Sequence, residues 1–240
     1  MPHSRPAEPS TAVNGLLSDG PIVLPALLLC DFGHLADEVA RLEAAGARAI
    51  HLDVMDGRFV PQLTYGMVVV EAVRRAATVP IEVHLMIDEP DQTAVDYARA
   101  GGDIVTVHVE GLAEPQATLA AIRAAGSRPH LAISPSTPVE RVEPLLAAAA
   151  GVLVMSVEPG YGGQSFQPGA LDKLSQLREL RAQRGLPLWL GIDGGIAAGT
   201  IGSAAAAGAE LIVAGSAVIR SGDYATAIRD LQQIARKGAA

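Results

Sequence analysis

Apolar residues along this chain fall into two alternating patterns. Short, nearly continuous apolar runs, of the kind that make strands buried on both faces, occur at 22–29, 49–54, 81–85, 104–109, 131–134, 152–157, 188–192 and 211–214. Between them lie stretches of helical period. Residues 33–45 carry Leu35, Val39 and Leu42 at i, i+4 and i+7, with Asp37 and Arg41 on the outer side. The last such stretch, 223–236, sets Ala227, Ile228, Leu231 and Ile234 on one face. Glycines punctuate the joints: Gly46, Gly101, Gly102, Gly126, Gly151, Gly185 and Gly208 stand where a left-handed turn after a helix is expected. Intervals of roughly 25 residues suit one strand, one helix and two short loops. Eight such units predict an α/β protein, a (β/α)8 TIM barrel. The alanine clusters 147–150 and 204–207 are read as close helix packing. An open doubly wound sheet shares the alternation, but Leu29, Cys30, Asp31 and Phe32 stand where its glycine-rich nucleotide loop would begin.

Composition narrows the picture. A chain of 240 residues, 49% apolar, can bury one substantial core, so 21–240 is expected to be a single catalytic barrel domain. Residues 1–20 mix proline, serine and acidic groups without an apolar core segment. They are expected to form a disordered N-terminal extension and not a secretory signal. A formal charge of −8 argues against nucleic acid as a partner, while leaving room for a small pocket that takes one phosphate. No apolar run approaches the roughly 18 residues that span a bilayer, so no membrane association is expected. Cys30 has no second cysteine to pair with, which suits a reducing, cytoplasmic setting.

Chemistry collects at the ends of the expected strands, where a barrel of this kind carries its active site. In HLDVMDGRFVP, His51 and Asp53 are two apart and therefore share a strand face, with backbones about 6.6 Å apart. His84 ends the third run in EVHLM and Asp193 the seventh in GIDGG. Singly, each has a structural reading: His51 and Asp53 as a hydrogen-bonded pair, His84 as a satisfied core histidine. As a set, two imidazoles and two carboxylates directed to one mouth point to a mononuclear metal site. His108, beside Glu110, either pairs with that carboxylate or ligates. His3, His34 and His130 are read as surface or structural residues. Glycines gather there too: Gly160, Tyr161, Gly162 and Gly163 in EPGYGGQ, Gly194 and Gly195 after the seventh run, and Gly215 and Ser216 after the eighth. Each alone is an ordinary turn; together they suit a phosphate cradle. Met55, Met86 and Met155 fall near strand ends, as core filler or as a polarizable pocket lining.

Together, HLDVMDGRFVP, EVHLMI, VTVHVE, VMSVEPGYGGQSF, IDGGI and VAGSAV resemble the ribulose-phosphate 3-epimerase family over about residues 22–219. The resemblance implies one divalent metal ion per subunit (zinc, iron, manganese or cobalt), held by His51, Asp53, His84 and Asp193. It implies that Asp53 and Asp193 are also the acid/base catalysts of proton transfer at C3 of a ketose phosphate, through an enediolate. It further implies substrate contacts by His84, Asp193 and the glycine-rich loops, D-ribulose 5-phosphate and D-xylulose 5-phosphate as the interconverted pair, a place in the pentose phosphate pathway, and a homo-oligomer. The first run departs from the family: PALLLCDF replaces the usual PSILSADF, so Ala26 stands where a serine contacts substrate and Leu29 where another small polar residue stands. Another ketose phosphate, such as D-allulose 6-phosphate, is therefore an alternative substrate. A non-catalytic sugar-phosphate binder is disfavoured, because every metal and acid/base position is filled.

Overall fold

A computed structural model describes residues 11–240. Eight strands form one parallel sheet: β1 (Ile22–Pro25), β2 (Ile50–Met55), β3 (Ile81–Met86), β4 (Ile104–His108), β5 (Arg128–Ile133), β6 (Gly151–Met155), β7 (Trp189–Asp193) and β8 (Leu211–Ala214). Their order runs β1-β8-β7-β6-β5-β4-β3-β2, and a single parallel bridge between Ala26 and His51 joins the first strand to the second. The chain is thus a nearly closed (β/α)8 barrel. Around it lie α2 (Leu35–Ala44), α3 (Met67–Ala76), α4 (Ala94–Ala100), α5 (Pro115–Ala124), α6 (Gly169–Arg184), α7 (Ile201–Ala207), the short α8 (Ser216–Ile219) and α9 (Tyr224–Ala239); α1 (Thr11–Asn14) precedes β1.

Alternate residues on each strand face opposite ways. One set (Val23, Leu52, Val54, Val83, Leu85, Val105, Val107, Val152 and Val154 among them) packs outward with the helices in the main core. The other set fills the barrel, and it is unevenly divided. Ile22, Leu24, Leu153, Leu211 and Val213 make one side apolar. His51, Asp53, Glu82, His84, Thr106, His108 and His130, all buried, come from the consecutive strands β2 to β5. Polar groups without water are costly unless they bond to one another, and most of these do beneath the mouth: His51 with Glu82 and Asp53, Glu82 with Thr106, and His84 with His108.

Several expectations need correction. The first run stops pairing at Pro25, opposite Ala214, and 27–29 coil into a 3-10 turn. No α-helix follows β5 among the described residues. Pro138 and Pro144 lack N–H donors, and the segment makes two 3-10 turns, Val139–Arg141 and Glu143–Leu145. The alanines at 147–150 therefore lie outside any helix, and Gly151 opens β6. The alanines at 204–207 do lie in α7. Gly46, Gly101, Gly126, Gly185 and Gly208 have the expected positive φ, but Gly102 and Gly151 do not.

Gly151 instead makes room for the His130 ring, since a Cβ there would sit 2.5 Å from His130 Cε1 and Nε2. Gly151→Ala is expected to overpack the barrel floor and lower stability by about 1–3 kcal/mol. A urea unfolding midpoint equal to that of the parent would show the contact to be slack.

Of the expected disordered extension, residues 1–10 lie outside those described. Within 11–20, Val13 and Leu16 are buried with Ile22, Leu24, Ile104 and Leu211. The segment closes the amino end of the barrel, and burying each of these side chains is worth about 1.5–3 kcal/mol relative to exposure. No helix among the described residues is long and apolar enough to cross a membrane.

Candidate active site

The carboxyl ends of β2, β3 and β7 bring His51, Asp53, His84 and Asp193 together, with one candidate ligand atom from each lying within 4.8 Å of all the others. His51 Nε2 lies 3.3 Å from Asp53 Oδ1 and 3.8 Å from Asp193 Oδ2. His84 Nδ1 lies 3.6 Å from Asp53 Oδ1 and 3.7 Å from Asp193 Oδ2. Donors about 2.0–2.1 Å from a tetrahedral ion stand about 3.4 Å apart, so these four histidine–aspartate spacings are close to those around one ion. Two further observations fit it. His84 Nδ1 is a buried nitrogen without a hydrogen-bond partner. The donor set, imidazole and carboxylate, suits a borderline or moderately hard divalent ion.

Glu82, overlooked in the sequence although it shares the strand face of His84, lies fully buried on β3. Its Oε2 is 3.0 Å from His51 Nδ1, and its Oε1 accepts from Thr106 Oγ1 at 2.6 Å. Burial opposes its ionisation, but His51, with His130 and the Thr106 hydrogen bond, together hold the carboxyl down at about 2. An ionised carboxylate only accepts, so His51 carries a proton on Nδ1, and Nε2 is the nitrogen that faces the two aspartates. The two histidines thus face the site through different nitrogens. Burial alone would favour neutral His51; the charges of Asp53 and Glu82 reverse this and raise its pKa.

The two aspartates are pushed apart. Burial raises Asp193, and the neighbouring Asp53 charge adds to it. Asp53 is buried too, but His51 beside it holds its carboxyl low. His51 and His84 are fully buried, whereas Asp53 and Asp193 line a cleft that opens at the barrel mouth.

Every other residue expected at the site lines the same cleft. Met55, Met86 and Met155, each nearly fully buried, form its apolar wall beside Ala26. Gly160, Tyr161, Gly162 and Gly163 edge it from the loop after β6, and Gln164 pins that loop by donating to the carbonyls of Glu158 and Tyr161. Gly194, Gly195, Gly215 and Ser216 complete the rim. At Gly195 the backbone is left-handed (φ 58°), and a Cβ would lie 2.5 Å from the Phe166 nitrogen, so only glycine fits. Leu28 and Leu29 also line the cleft and lie where a Cβ on Gly162 would meet them.

His108 lies outside the four-residue cluster and pairs with Glu110, Nδ1 to Oε2 at 3.1 Å. His130 is buried in the barrel against Trp189, His34 is exposed beside Asp31, and His3 lies outside the described residues. Cys30 is half-buried, and burial pushes its thiol up to about 11, which leaves it unreactive near neutrality. Asp56 shapes the turn after β2 by accepting from the Arg58, Phe59 and Asp88 amides.

Fold and cluster place the chain among the (β/α)8 barrels that carry their chemistry at the carboxyl ends of the strands. More narrowly, the model of the ribulose-phosphate 3 epimerase family matches residues 22–219, and the chain belongs to that family. It is 43% identical over 222 residues to a ribulose-phosphate 3-epimerase of Synechocystis, covering 92% of this chain and 96% of that one. To a chloroplastic ribulose-5-phosphate-3-epimerase of Arabidopsis thaliana it is 41% identical, covering 91% of this chain and 78% of that one. Among solved structures it resembles KGPDC from Streptococcus mutans in complex with D-R5P, with TM-score 0.72 and 15% identity, covering 92% of this chain and 99% of that one; this likeness concerns the fold alone.

Proposed function

We propose that the chain is a metal-dependent epimerase that inverts C3 of a ketose phosphate, interconverting D-ribulose 5-phosphate and D-xylulose 5-phosphate. The observation that carries this reading is the pair of cleft-facing carboxylates, Asp53 from β2 and Asp193 from β7, backed by the buried histidines. Inversion needs a proton carrier on each face of the reacting carbon. In the ring of strands, β2 and β7 are separated by β1 and β8, so their carboxylates approach a bound substrate from different sides. One aspartate takes the C3 proton, leaving an enediolate, and the other delivers a proton to the opposite face; the return reaction exchanges their roles.

A divalent ion held by His51, Asp53, His84 and Asp193 would supply positive charge against the developing oxyanion, a contribution of several kcal/mol. The three methionines keep the reacting carbon in water-poor surroundings. Gly162, Gly163, Gly195, Gly215 and Ser216, which let backbone N–H groups approach closely, hold the phosphate. With the phosphate fixed, C3 is set between the carboxylates. Leu63, Met67 and Val68, exposed after β2 and at the start of α3, offer a surface for a second copy of the chain, in keeping with a homo-oligomer.

A second reading concerns the substrate. Ala26 and Leu29 present no hydroxyl to the cleft, so one wall that could bond a sugar hydroxyl is apolar. A six-carbon ketose phosphate, such as D-allulose 6-phosphate, is the alternative. Metal-loaded protein is incubated in deuterated water with each ketose phosphate, and label at C3 is followed together with product. Exchange is expected at least about tenfold faster with the five-carbon substrate, one strong interaction being worth about 1.4 kcal/mol. Preference for six carbons would establish the alternative, and exchange with neither would end the epimerase reading.

A further inference from the structure

Behind His84 a second imidazole stands in the barrel. His84 Nε2 and His108 Nε2 are 2.9 Å apart, and the rings are stacked at 5.0 Å between centroids, both wholly buried. Two imidazole nitrogens at that distance share one proton, so one donates and the other accepts. The far side of His108 decides which. Its Nδ1 faces Glu110 Oε2 at 3.1 Å, while Glu110 Oε1 accepts from the Ser134 amide at 2.8 Å and from Thr137 Oγ1 at 2.5 Å. A carboxylate placed among donors offers lone pairs only, so the His108 proton sits on Nδ1 and its Nε2 is an acceptor. His84 must then donate from Nε2. The remaining His84 nitrogen, Nδ1, keeps its lone pair and points at Asp53 and Asp193, which accounts for its having no hydrogen-bond partner.

We propose that His108 and Glu110 are positioning residues that lock His84 in the tautomer able to bind a metal ion through Nδ1. This rests on the reading of His84 as a ligand. The chain of contacts extends further: Lys173 on α6 donates to the carbonyls of Ser134, Pro135 and Thr137, holding the loop that in turn holds Glu110. An outer helix is thereby tied to the orientation of one imidazole at the centre of the barrel. In the opposite tautomer His84 would direct an N–H at the aspartates and act as a hydrogen-bond donor to them in place of a ligand. Carboxylate–histidine pairs behind metal-binding imidazoles commonly set metal affinity in this way.

The test reads tautomer and affinity separately. Long-range nitrogen–proton correlation spectra of the ¹⁵N-histidine-labelled full chain, metal-free, report which His84 nitrogen carries the proton. Parent protein is expected to show Nε2–H alone. His108→Phe, which keeps a ring but no nitrogen, and Glu110→Gln, which keeps volume but adds donors, are expected to give a mixture of tautomers. Both are expected to bind Zn²⁺ about 10–100-fold more weakly against a chromophoric chelator. At saturating Zn²⁺ the KM for sugar phosphate should stay within about twofold while kcat falls, because neither side chain is placed on the phosphate. The inference is overturned if the parent carries the His84 proton on Nδ1, or if both variants retain pure Nε2–H and parental Zn²⁺ affinity. Should the parent show Nε2–H yet bind no Zn²⁺, the ligand reading fails and the tautomer lock stands, so the two failures are distinguishable.

Discussion

Asp193→Asn is expected to cut turnover by about 10³–10⁴-fold while the barrel keeps its shape and, free of metal, at least its parental stability. The amide matches the carboxylate in size but can neither accept nor release a proton at neutral pH, and it removes one anionic donor from the cluster. Two features of the fold explain why the backbone should not notice. The Asp193 carbonyl accepts from the Ser156 amide at 2.8 Å and from Ser156 Oγ at 3.0 Å, so the strand end is anchored independently of the side chain. The carboxylate itself is disfavoured where it stands, first by burial and then by the charge of Asp53, which raise its pKa to about 6. A carboxyl that binds its proton more tightly when folded than when unfolded lowers stability as pH rises through the window between about 3.8 and 6. Asparagine removes that penalty, so metal-free variant at pH 7 should melt no lower than metal-free parent. Loss of C3 label exchange with an unchanged circular dichroism spectrum is the expected pair of results. Activity within about tenfold of the parent would remove Asp193 from the proton-transfer step, and a melting temperature several degrees lower would mean that the carboxylate is structural.

Much of this site could be read from spacing alone. His51, Asp53, His84 and Asp193 were recoverable because a strand buried on both faces has little reason to end in ionisable groups, and because barrel topology gathers strand ends at one mouth. The glycines were recoverable for a similar reason, since 194–195 and 215 each follow a strand. Glu82 was harder. Period-two alternation puts it on the face of His84, but its role depends on lying opposite His51, and that pairing comes from strand register, which no local pattern encodes. The same holds for the contact between His84 and His108, made across β3 and β4.

Element boundaries failed where local pattern and tertiary context disagree. Residues 22–29 read as one apolar run broken only by Pro25, and it is there, where β8 ends at Ala214, that β1 ends too. β5 begins earlier than expected because Arg128 and His130 do not resemble strand residues. They are accommodated by Trp189, whose ring lies 3.8 Å beneath the Arg128 guanidinium carbon and edge-on to His130. Residues 11–20 look like a polar tail in composition. Yet the apolar floor of the barrel takes up Val13 and Leu16, and that floor exists only once eight strands have closed around it.

Stripping the protein of divalent ions is expected to abolish turnover to below about 1% of the loaded enzyme, and stoichiometric restoration of an ion should return it. Proton transfer from a carbon next to a carbonyl leaves negative charge on oxygen, and the acidic side chains that line the cleft, Asp53, Glu158 and Asp193, are carboxylates. Without a cation the site would be repulsive to the intermediate it has to stabilise, and the several kcal/mol a metal supplies correspond to at least two to three orders of magnitude in rate. The same cluster makes a stability prediction. An ion that binds only the folded chain stabilises it by about 2.7 kcal/mol at a hundred times its dissociation constant. For a domain of this size that is a rise in Tm of roughly 5–10 °C. Asp193→Asn should show a smaller rise, because one anionic donor is gone, and added ion should not restore its turnover, because the proton carrier is gone as well. Calorimetry and C3 exchange measured on parent and variant, each with and without ion, separate the two functions assigned to one side chain. Full turnover in parent protein with less than about 0.05 ion per chain would refute metal dependence, whatever the calorimetry reads.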